Sequence, residues 1–271
     1  SLKSKELFAG GSAANTVSGL ASLGARVGFF TNVAADPIGQ ALIQNFKEAG
    51  VKLCCPPVDP KASLSPSCLI LTTPQGERSI LFHAETPTRF SDDELSAIAK
   101  TRCDYLLFEA AILLEKQNKL PALLEAVSLA RKNGAKTVFN LQGSYSWTEL
   151  SVLPRDVASM SDIVIGNEME VVAFKKHVTL PSFSKQTVVM TQGQNGATLK
   201  TKEALLRVRA APAVQVVDSI GAGDQFLAGF LHALCLGLSP KEGMKVGART
   251  ACSILGRKGG RPNAAISAAL I

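Results

Sequence analysis

The clearest candidate for chemistry is a glycine-rich turn that ends at Asp224 and leads into an apolar, helix-like stretch. Gly221 and Gly223 allow backbone N–H groups to point toward one place, and a helix N-terminus there favours a phosphate. Asp224 could accept a proton from a hydroxyl while those N–H groups hold a transferring phosphoryl group. The alternative is that Asp224 only caps the helix, and local physics does not decide between the two.

A second candidate lies near the start of the chain, where Gly10, Gly11 and Ser12 are followed by Asn15. Paired glycines allow a ligand to approach the backbone closely, and Asn15 carries both a donor and an acceptor for sugar hydroxyls. Taken alone, a Gly-Ser helix cap with a solvent-facing Asn15 explains this stretch better.

Two weaker motifs follow buried, strand-like runs. Asn167 and Glu170 lie one helical turn apart, and their oxygens suit a hydrated Mg²⁺ ion, although a capping pair has the same spacing. Thr191, Gly193 and Gly196 indicate a strand, a glycine turn and a second strand. That turn could hold nucleotide phosphates or could be a simple hairpin turn.

The elements that must position these residues alternate between strands and helices, which predicts a parallel sheet covered on both faces. Ligands of such sheets bind beyond the carboxyl ends of the strands. The predicted strands are 26–33, 68–73, 79–83, 105–108, 137–141, 163–165 and 187–191, with a β-rich run at 214–217. The predicted helices are 37–49, 120–133, 168–176, 223–236 and 240–255, with a capping box at 91–94 opening a further short helix.

Bulk composition narrows the function classes. The 271 residues suit one α/β domain, and 29 Lys and Arg against 22 Asp and Glu give a net charge of +7. The basic residues are scattered, which fits an anionic substrate better than nucleic acid. We expect no membrane span or signal peptide, because no apolar run is long enough. The six cysteines form no Cys-x-x-Cys pair, so we expect no zinc site and a reducing, cytoplasmic compartment.

In this order and at these spacings, the four motifs resemble the ribokinase-like (PfkB) family of carbohydrate and nucleoside kinases, from Gly10 to about Pro262. The resemblance implies a three-layer α/β/α sandwich with a mostly parallel central sheet. It also implies one kinase domain over 1–271, with a small β lid at roughly 52–90. We expect the family's further N-terminal strand, which carries an aspartate that grips the sugar hydroxyls, to be absent before Gly10.

The resemblance also implies a role for each motif. Asp224 would deprotonate the accepting hydroxyl, and the backbone around it would form the anion hole for the γ-phosphate of ATP. Mg²⁺ would be organised through water. The residues implied are Gly221, Ala222 and Gly223 for the anion hole; Gly10, Gly11, Ser12 and Asn15 for the sugar ring; Asn167 and Glu170 for Mg²⁺ and phosphate; Thr191, Gly193 and Gly196 for ATP; Ala251 for adenine; and Arg78, reaching from the lid toward the phosphates.

Within that family the chain is most similar to adenosine kinases and their bacterial relatives, by its first glycine pair, the 76–79 turn and the 259–262 segment. An ATP- and Mg²⁺-dependent kinase of adenosine or a related nucleoside is therefore expected, as a monomer or homodimer. Phe29, Phe82 and Phe139 are the candidates for stacking a base. The alternatives are a kinase of a free sugar such as ribose or fructose and, more remotely, a non-catalytic nucleotide or sugar sensor. A dinucleotide-dependent oxidoreductase ranks last, because no Gly-x-Gly-x-x-Gly turn is present.

Overall fold

The computed structural model describes residues 6, 8–59, 61, 64–72, 78–83, 90–110, 120–142, 154–177, 186–212 and 215–262. Side chains of 71, 72, 78–83, 120, 154, 155 and 158 are not part of the description. The helices are α1 (Ser12–Ser22), α2 (Pro37–Glu48), α3 (Asp92–Ala99), α4 (Leu120–Lys132), α5 (Pro154–Met160), α6 (Glu168–Lys175), α7 (Ala222–Cys235) and α8 (Pro240–Cys252). The strands are β1 (Gly28–Phe29), β2 (Lys52–Leu53), β3 (Ser67–Thr72), β4 (Arg78–His83), β5 (Tyr105–Glu109), β6 (Lys136–Asn140), β7 (Ile163–Asn167), β8 (Thr187–Thr191), β9 (Ala197–Lys200) and β10 (Leu205–Val208).

The main sheet has six strands in the order β10-β9-β8-β7-β6-β5. Strands β5 to β8 run parallel, and β9 and β10 are added antiparallel at one edge. The carboxyl ends of four parallel strands therefore meet at one edge of the sheet, where the sequence predicts the chemistry to lie.

Helices cover this sheet on both faces. On one face α3, α4, α5 and α6 pack over a cluster of buried residues that includes Phe139, Val164 and Phe174. On the other face α7 and α8 pack over a cluster that includes Val138, Val189 and Phe230. The predicted three-layer α/β/α sandwich is thus confirmed, and α1 lies against α7, with Leu20 of α1 packed against the second cluster.

Several helix starts form where the sequence places a capping residue. The Asp36 carboxylate accepts a hydrogen bond from Gly39 N at 2.6 Å and caps α2, whose first residue is Pro37. Ser91 and Glu94 form a reciprocal capping box at the start of α3. These local signals confirm the predicted starts of both helices.

The structure corrects three boundaries. Only Gly28 and Phe29 of the predicted strand 26–33 are in β1, because the two residues of β2 are the only strand partner among the described residues. Residues 215–217 form no strand; instead the N–H of Val217 donates to the carbonyl of Leu255 at 2.7 Å. Helix α8 ends at Cys252, three residues before the predicted end. In each case an apolar stretch predicts a strand or helix, but the tertiary contacts that the stretch makes decide whether that element forms.

The predicted lid strands are confirmed as a separate antiparallel hairpin in which β3 pairs with β4, from Ser67 opposite His83 to Thr72 opposite Arg78. The predicted turn between them, 74–77, lies outside the described residues, and the limits of the lid remain a prediction. Within the described part of the chain, none of the helices is long and apolar enough to cross a membrane.

Candidate active site

Asp224 is the third residue of α7, and its carboxylate faces α1. Ser12 Oγ donates to Asp224 Oδ1 at 2.6 Å, and Asn15 Nδ2 donates to Asp224 Oδ2 at 2.8 Å. The N-cap of α7 is Gly221, which receives no side-chain capping hydrogen bond. The alternative that Asp224 only caps its helix is therefore wrong. So is the solvent-facing reading of Asn15, whose side chain is buried.

Glycine is required at two turns of the candidate site. Gly11 and Gly221 have φ of 94° and 79°, in the left-handed region that other residues rarely adopt. A Cβ on Gly221 would lie 2.4 Å from the Cα of Gly260. A Cβ on Gly223 would meet no atom within 4 Å, so the space in front of this turn is open. An anion would have room there, beside the first N–H groups of α7.

The structure adds two side chains that the sequence analysis missed, Glu109 and Asn140. They are the last residues of the adjacent parallel strands β5 and β6, and both are buried. Asn140 Nδ2 donates to Glu109 Oε1 at 3.2 Å and to Ser12 Oγ at 3.4 Å. The available signal was a polar residue at the end of an apolar strand. The predicted strands end at 108, one residue before Glu109, and at 141, one residue after Asn140, so neither residue was recognised as a strand end.

Burial raises the pKa of both acids. The pKa of Asp224 rises to about 6, mainly because burial disfavours the charge and also because of the charge on Glu170; the hydrogen bonds from Ser12 and Asn15 oppose the rise. Burial raises the pKa of Glu109 to about 7, and the charge on Asp224 adds to this. Asp224 therefore ionises first, and a carboxylate with a pKa near neutrality suits a general base.

A buried glutamine joins α1 to the segment near the end of the described chain. Gln225 Nε2 donates to the carbonyl of Asn15 at 3.0 Å and to that of Gly260 at 2.9 Å. Its side chain is fully buried, and Gly19 leaves room for it, because a Cβ there would lie 2.3 Å from Gln225 Oε1. No motif in the sequence indicates this contact, which holds the helix that carries Asn15 in place.

Asn167 and Glu170 form a capping box at the start of α6. Asn167 N donates to Glu170 Oε2 at 2.7 Å, and Glu170 N donates to Asn167 Oδ1 at 2.9 Å. The capping alternative is thus confirmed, and a role for this pair with Mg²⁺ stays a prediction. Thr191 lies beside Asn167 in the pairing of β7 with β8, so two of the predicted nucleotide-site residues are neighbours.

The turn after Thr191 is a short 3₁₀ segment, Gly193–Asn195, between the antiparallel strands β8 and β9. Gly196 has a φ of 92°, and a Cβ there would lie 2.0 Å from the carbonyl oxygen of Val208. The hairpin is confirmed, and contact with a nucleotide stays a prediction.

The last two predicted site residues lie on α8 and in the hairpin. Ala251 is half-buried on α8, against the cluster that α7 covers. Arg78 is the first residue of β4, and its side chain lies outside the described part of the chain.

The sequence over residues 2–266 matches the family described as pfkB family carbohydrate kinase. The chain belongs to this family and is a phosphotransferase. It is 28% identical over 266 residues to the 5-dehydro-2-deoxygluconokinase of Halalkalibacterium halodurans, covering 92% of this chain and 80% of that protein.

Solved structures agree with this assignment. A probable sugar kinase from Rhizobium etli CFN 42 superposes with a TM-score of 0.84 and 25% identity, covering 97% of this chain and 83% of that one. The adenosine kinase from Sinorhizobium meliloti superposes with a TM-score of 0.79 and 28% identity, covering 94% and 80%. The similar proteins thus include both sugar and nucleoside kinases.

Proposed function

We propose that this protein transfers the γ-phosphate of ATP to a hydroxyl of a small sugar or sugar acid, with Asp224 as the general base. The observation that carries the proposal is the half-buried carboxylate of Asp224, held between Ser12 and Asn15 at the start of a glycine-led helix. A base with a raised pKa and an anion-binding helix end are the two parts that phosphoryl transfer to an alcohol needs.

The chemistry follows from these positions. Asp224 takes the proton of the substrate hydroxyl while the oxygen of that hydroxyl forms a bond to the γ-phosphorus. The bond from the γ-phosphorus to the bridging oxygen breaks, which releases ADP. We propose that the N–H groups of Gly221, Ala222 and Gly223 hold the phosphoryl oxygens as negative charge develops on them, which requires the N–H of Ala222 to leave the carbonyl of Ser219, to which it donates at 3.2 Å. Ser12 and Asn15 keep the carboxylate directed at the hydroxyl.

The residues present fit a magnesium nucleotide. The charge on Glu170 raises the pKa of Asp224, so the two carboxylates are close enough to repel each other. A divalent cation would offset that repulsion and the charge of the phosphates. We propose that Asn167 and Glu170 hold the ion through water, and that Thr191, Gly193 and Gly196 line the nucleotide site.

The polar lining favours a sugar as acceptor. Glu109 and Asn140 add three oxygen acceptors beside Ser12, which suits a molecule with several hydroxyls, while the Asn140 amide nitrogen already donates to Glu109 and Ser12. The relatives named 5-dehydro-2-deoxygluconokinase support a sugar acid of that class.

A nucleoside such as adenosine is the second candidate, supported by the adenosine kinase from Sinorhizobium meliloti. The aromatic residues that the sequence analysis named for stacking a base give this candidate less support. Phe139 is fully buried between Phe108 and Phe174, and Phe29 packs edge-on against Phe46. The side chain of Phe82 lies outside the described part of the chain.

The test is an ATP-consumption assay with Mg²⁺ that compares 5-dehydro-2-deoxygluconate, fructose, ribose and adenosine at equal concentrations. We expect kcat/KM for one of the sugars or the sugar acid to exceed that for adenosine by at least about tenfold, the ratio that one unmatched hydrogen-bonding group produces. Turnover of adenosine alone would overturn the sugar assignment and leave the base assignment intact. A protein that binds ATP but phosphorylates none of the four would favour the sensor.

A further inference from the structure

Arg261 is a buried cation behind the active site. Its side chain is only 7% exposed, and its guanidinium lies over the ring of Phe46 with 4.7 Å between the guanidinium carbon and the ring centre. Burial lowers its pKa to about 10, so it remains charged at neutral pH. Among the described residues, no carboxylate pairs with it. A buried charge of this kind is unfavourable unless its hydrogen bonds are satisfied, so the partners of each N–H group matter.

Two of those partners, Asn15 and the carbonyl of Gly10, belong to the substrate side of the active site. Arg261 Nε donates to Asn15 Oδ1 at 3.3 Å, and one terminal nitrogen donates to the carbonyl of Gly10 at 2.7 Å. The other terminal nitrogen donates to Asn45 Oδ1 on α2. One guanidinium thus joins the glycine turn, α1 and α2.

The contact with Asn15 decides which way its amide points. A guanidinium is only a donor, so it must meet the amide oxygen. The amide nitrogen then lies toward Asp224 Oδ2, at 2.8 Å, and donates to a carboxylate that can only accept when it is ionised. The reversed amide would place a donor against Arg261 and an oxygen against Asp224, which makes two unfavourable contacts.

We propose that Arg261 is a positioning residue that locks the Asn15 amide in the orientation that holds Asp224 ready for the substrate hydroxyl. This inference rests on the proposed function, because it takes Asp224 as the base. Arg261 acts through Asn15 and through the Gly10 carbonyl, and it needs no contact with substrate or nucleotide.

Loss of Arg261 has a predictable effect on the base. A freed Asn15 amide donates less well to Asp224, and that hydrogen bond is one of the two that lower the pKa of Asp224. Two other titratable groups lie near Asp224: Glu170 on α6, whose charge raises the pKa of Asp224, and Glu109 on β5, whose own pKa is raised by the charge on Asp224. A substitution at Arg261 changes neither of them. The pKa of Asp224 therefore moves upward when Arg261 is removed.

The experiment compares R261M, R261Q and N15A with a control, R26M, which removes an exposed arginine that makes no hydrogen bond to any of the described residues. For R261M we expect the sugar KM to rise about tenfold, the ATP KM to stay within about twofold, and the acidic limb of kcat/KM to move above pH 6. R261Q is neutral and retains a donor for Asn15, so it should recover part of the loss and keep the fold if R261M does not. The double variant R261M/N15A should be little worse than N15A, because Arg261 acts through that side chain.

Two results would overturn the proposal: equal losses for sugar and ATP, or an acidic limb that stays in place in both R261M and R261Q. Arg261 would then only stabilise the fold and would have no role in positioning Asp224.

A second readout separates this inference from the proposed function. The ¹³C resonance of the Asp224 carboxyl carbon can be titrated in the free protein, without substrate. An apparent pKa that is higher in R261M than in the native protein supports the positioning role even if no tested sugar is phosphorylated. An unchanged pKa contradicts it whatever the acceptor proves to be.

Discussion

The two halves of the candidate site are built differently. The substrate side, formed by Ser12, Asn15, Glu109, Asn140 and Asp224, consists of side chains from four elements that hydrogen-bond to one another. The nucleotide side, formed by Asn167, Glu170, Thr191, Gly193 and Gly196, consists of neighbours in sequence or adjacent strands that bond mostly within their own turns.

This difference has an energetic consequence. The substrate side holds two acids whose pKa values are raised, Glu109 buried and Asp224 half-buried, so its order depends on tertiary packing. The nucleotide side depends on backbone conformation and local caps. Substitutions on the substrate side should change chemistry and acceptor binding, whereas those on the nucleotide side should change stability and nucleotide or metal use.

The largest effect should come from D224N. Asparagine has the size of aspartate but cannot accept the proton, so we expect kcat to fall by about 10²–10⁴-fold with a small change in the sugar KM. Steady-state kinetics at saturating ATP would measure this, with thermal unfolding as the control for folding. Activity close to that of the native protein would mean that another group is the base.

G196A should have the next largest effect, and it should act on the nucleotide side of the site. Its Cβ would meet the Val208 carbonyl oxygen at 2.0 Å in a left-handed conformation, so we expect the free energy of unfolding to fall by about 2–4 kcal/mol and the ATP KM to rise. G193A is the matched control: its φ is 55° and no atom lies within 4 Å of the added Cβ, so it should cost about 1 kcal/mol. Equal effects in denaturant unfolding would show that packing against Val208 is unimportant.

E109Q should affect acceptor binding without moving the base. Asp224 acts only when ionised, so kcat/KM falls as the pH drops below about 6. Glu109, with a pKa of about 7, is still protonated there, and a neutral glutamine imitates it. We therefore expect the acidic limb to stay near pH 6. Above pH 7, where Glu109 is a carboxylate and glutamine replaces one acceptor oxygen by a donor, we expect the sugar KM to rise about tenfold. The control is E203Q, which replaces an exposed glutamate in the turn before β10 and should change neither the sugar KM nor the pH profile. If the acidic limb of kcat/KM moves in E109Q and not in E203Q, Glu109 is charged when Asp224 titrates.

The smallest effect should come from N167A, which removes the cap of α6 and should lower stability by about 1 kcal/mol. N167S retains a capping oxygen and should recover that stability. If Asn167 also organises Mg²⁺, both variants should need more Mg²⁺ for half-maximal activity. A Mg²⁺ requirement equal to that of the native protein in both variants would reduce Asn167 to a cap.

The sequence by itself determined the local features of this protein. The helix starts at Asp36 and Ser91, the glycine turn after Thr191 and the alternation of strands and helices all depend on residues a few positions apart. The same is true of the two glycine motifs that led to Asp224 and to the family. These features can be predicted from the sequence because capping, positive φ and strand periodicity are properties of short stretches of chain.

Tertiary structure alone decided what those motifs do together. Whether Asp224 caps its helix or faces a substrate depended on where α1 lies, and Glu109, Asn140 and Arg261 became site residues only when strands and loops distant in sequence met. Burial then decided the charge states, because a carboxyl group has a raised pKa only once the surrounding protein has removed its water. No short pattern encodes these contacts, since each is made by residues that the sequence separates and the sheet brings together.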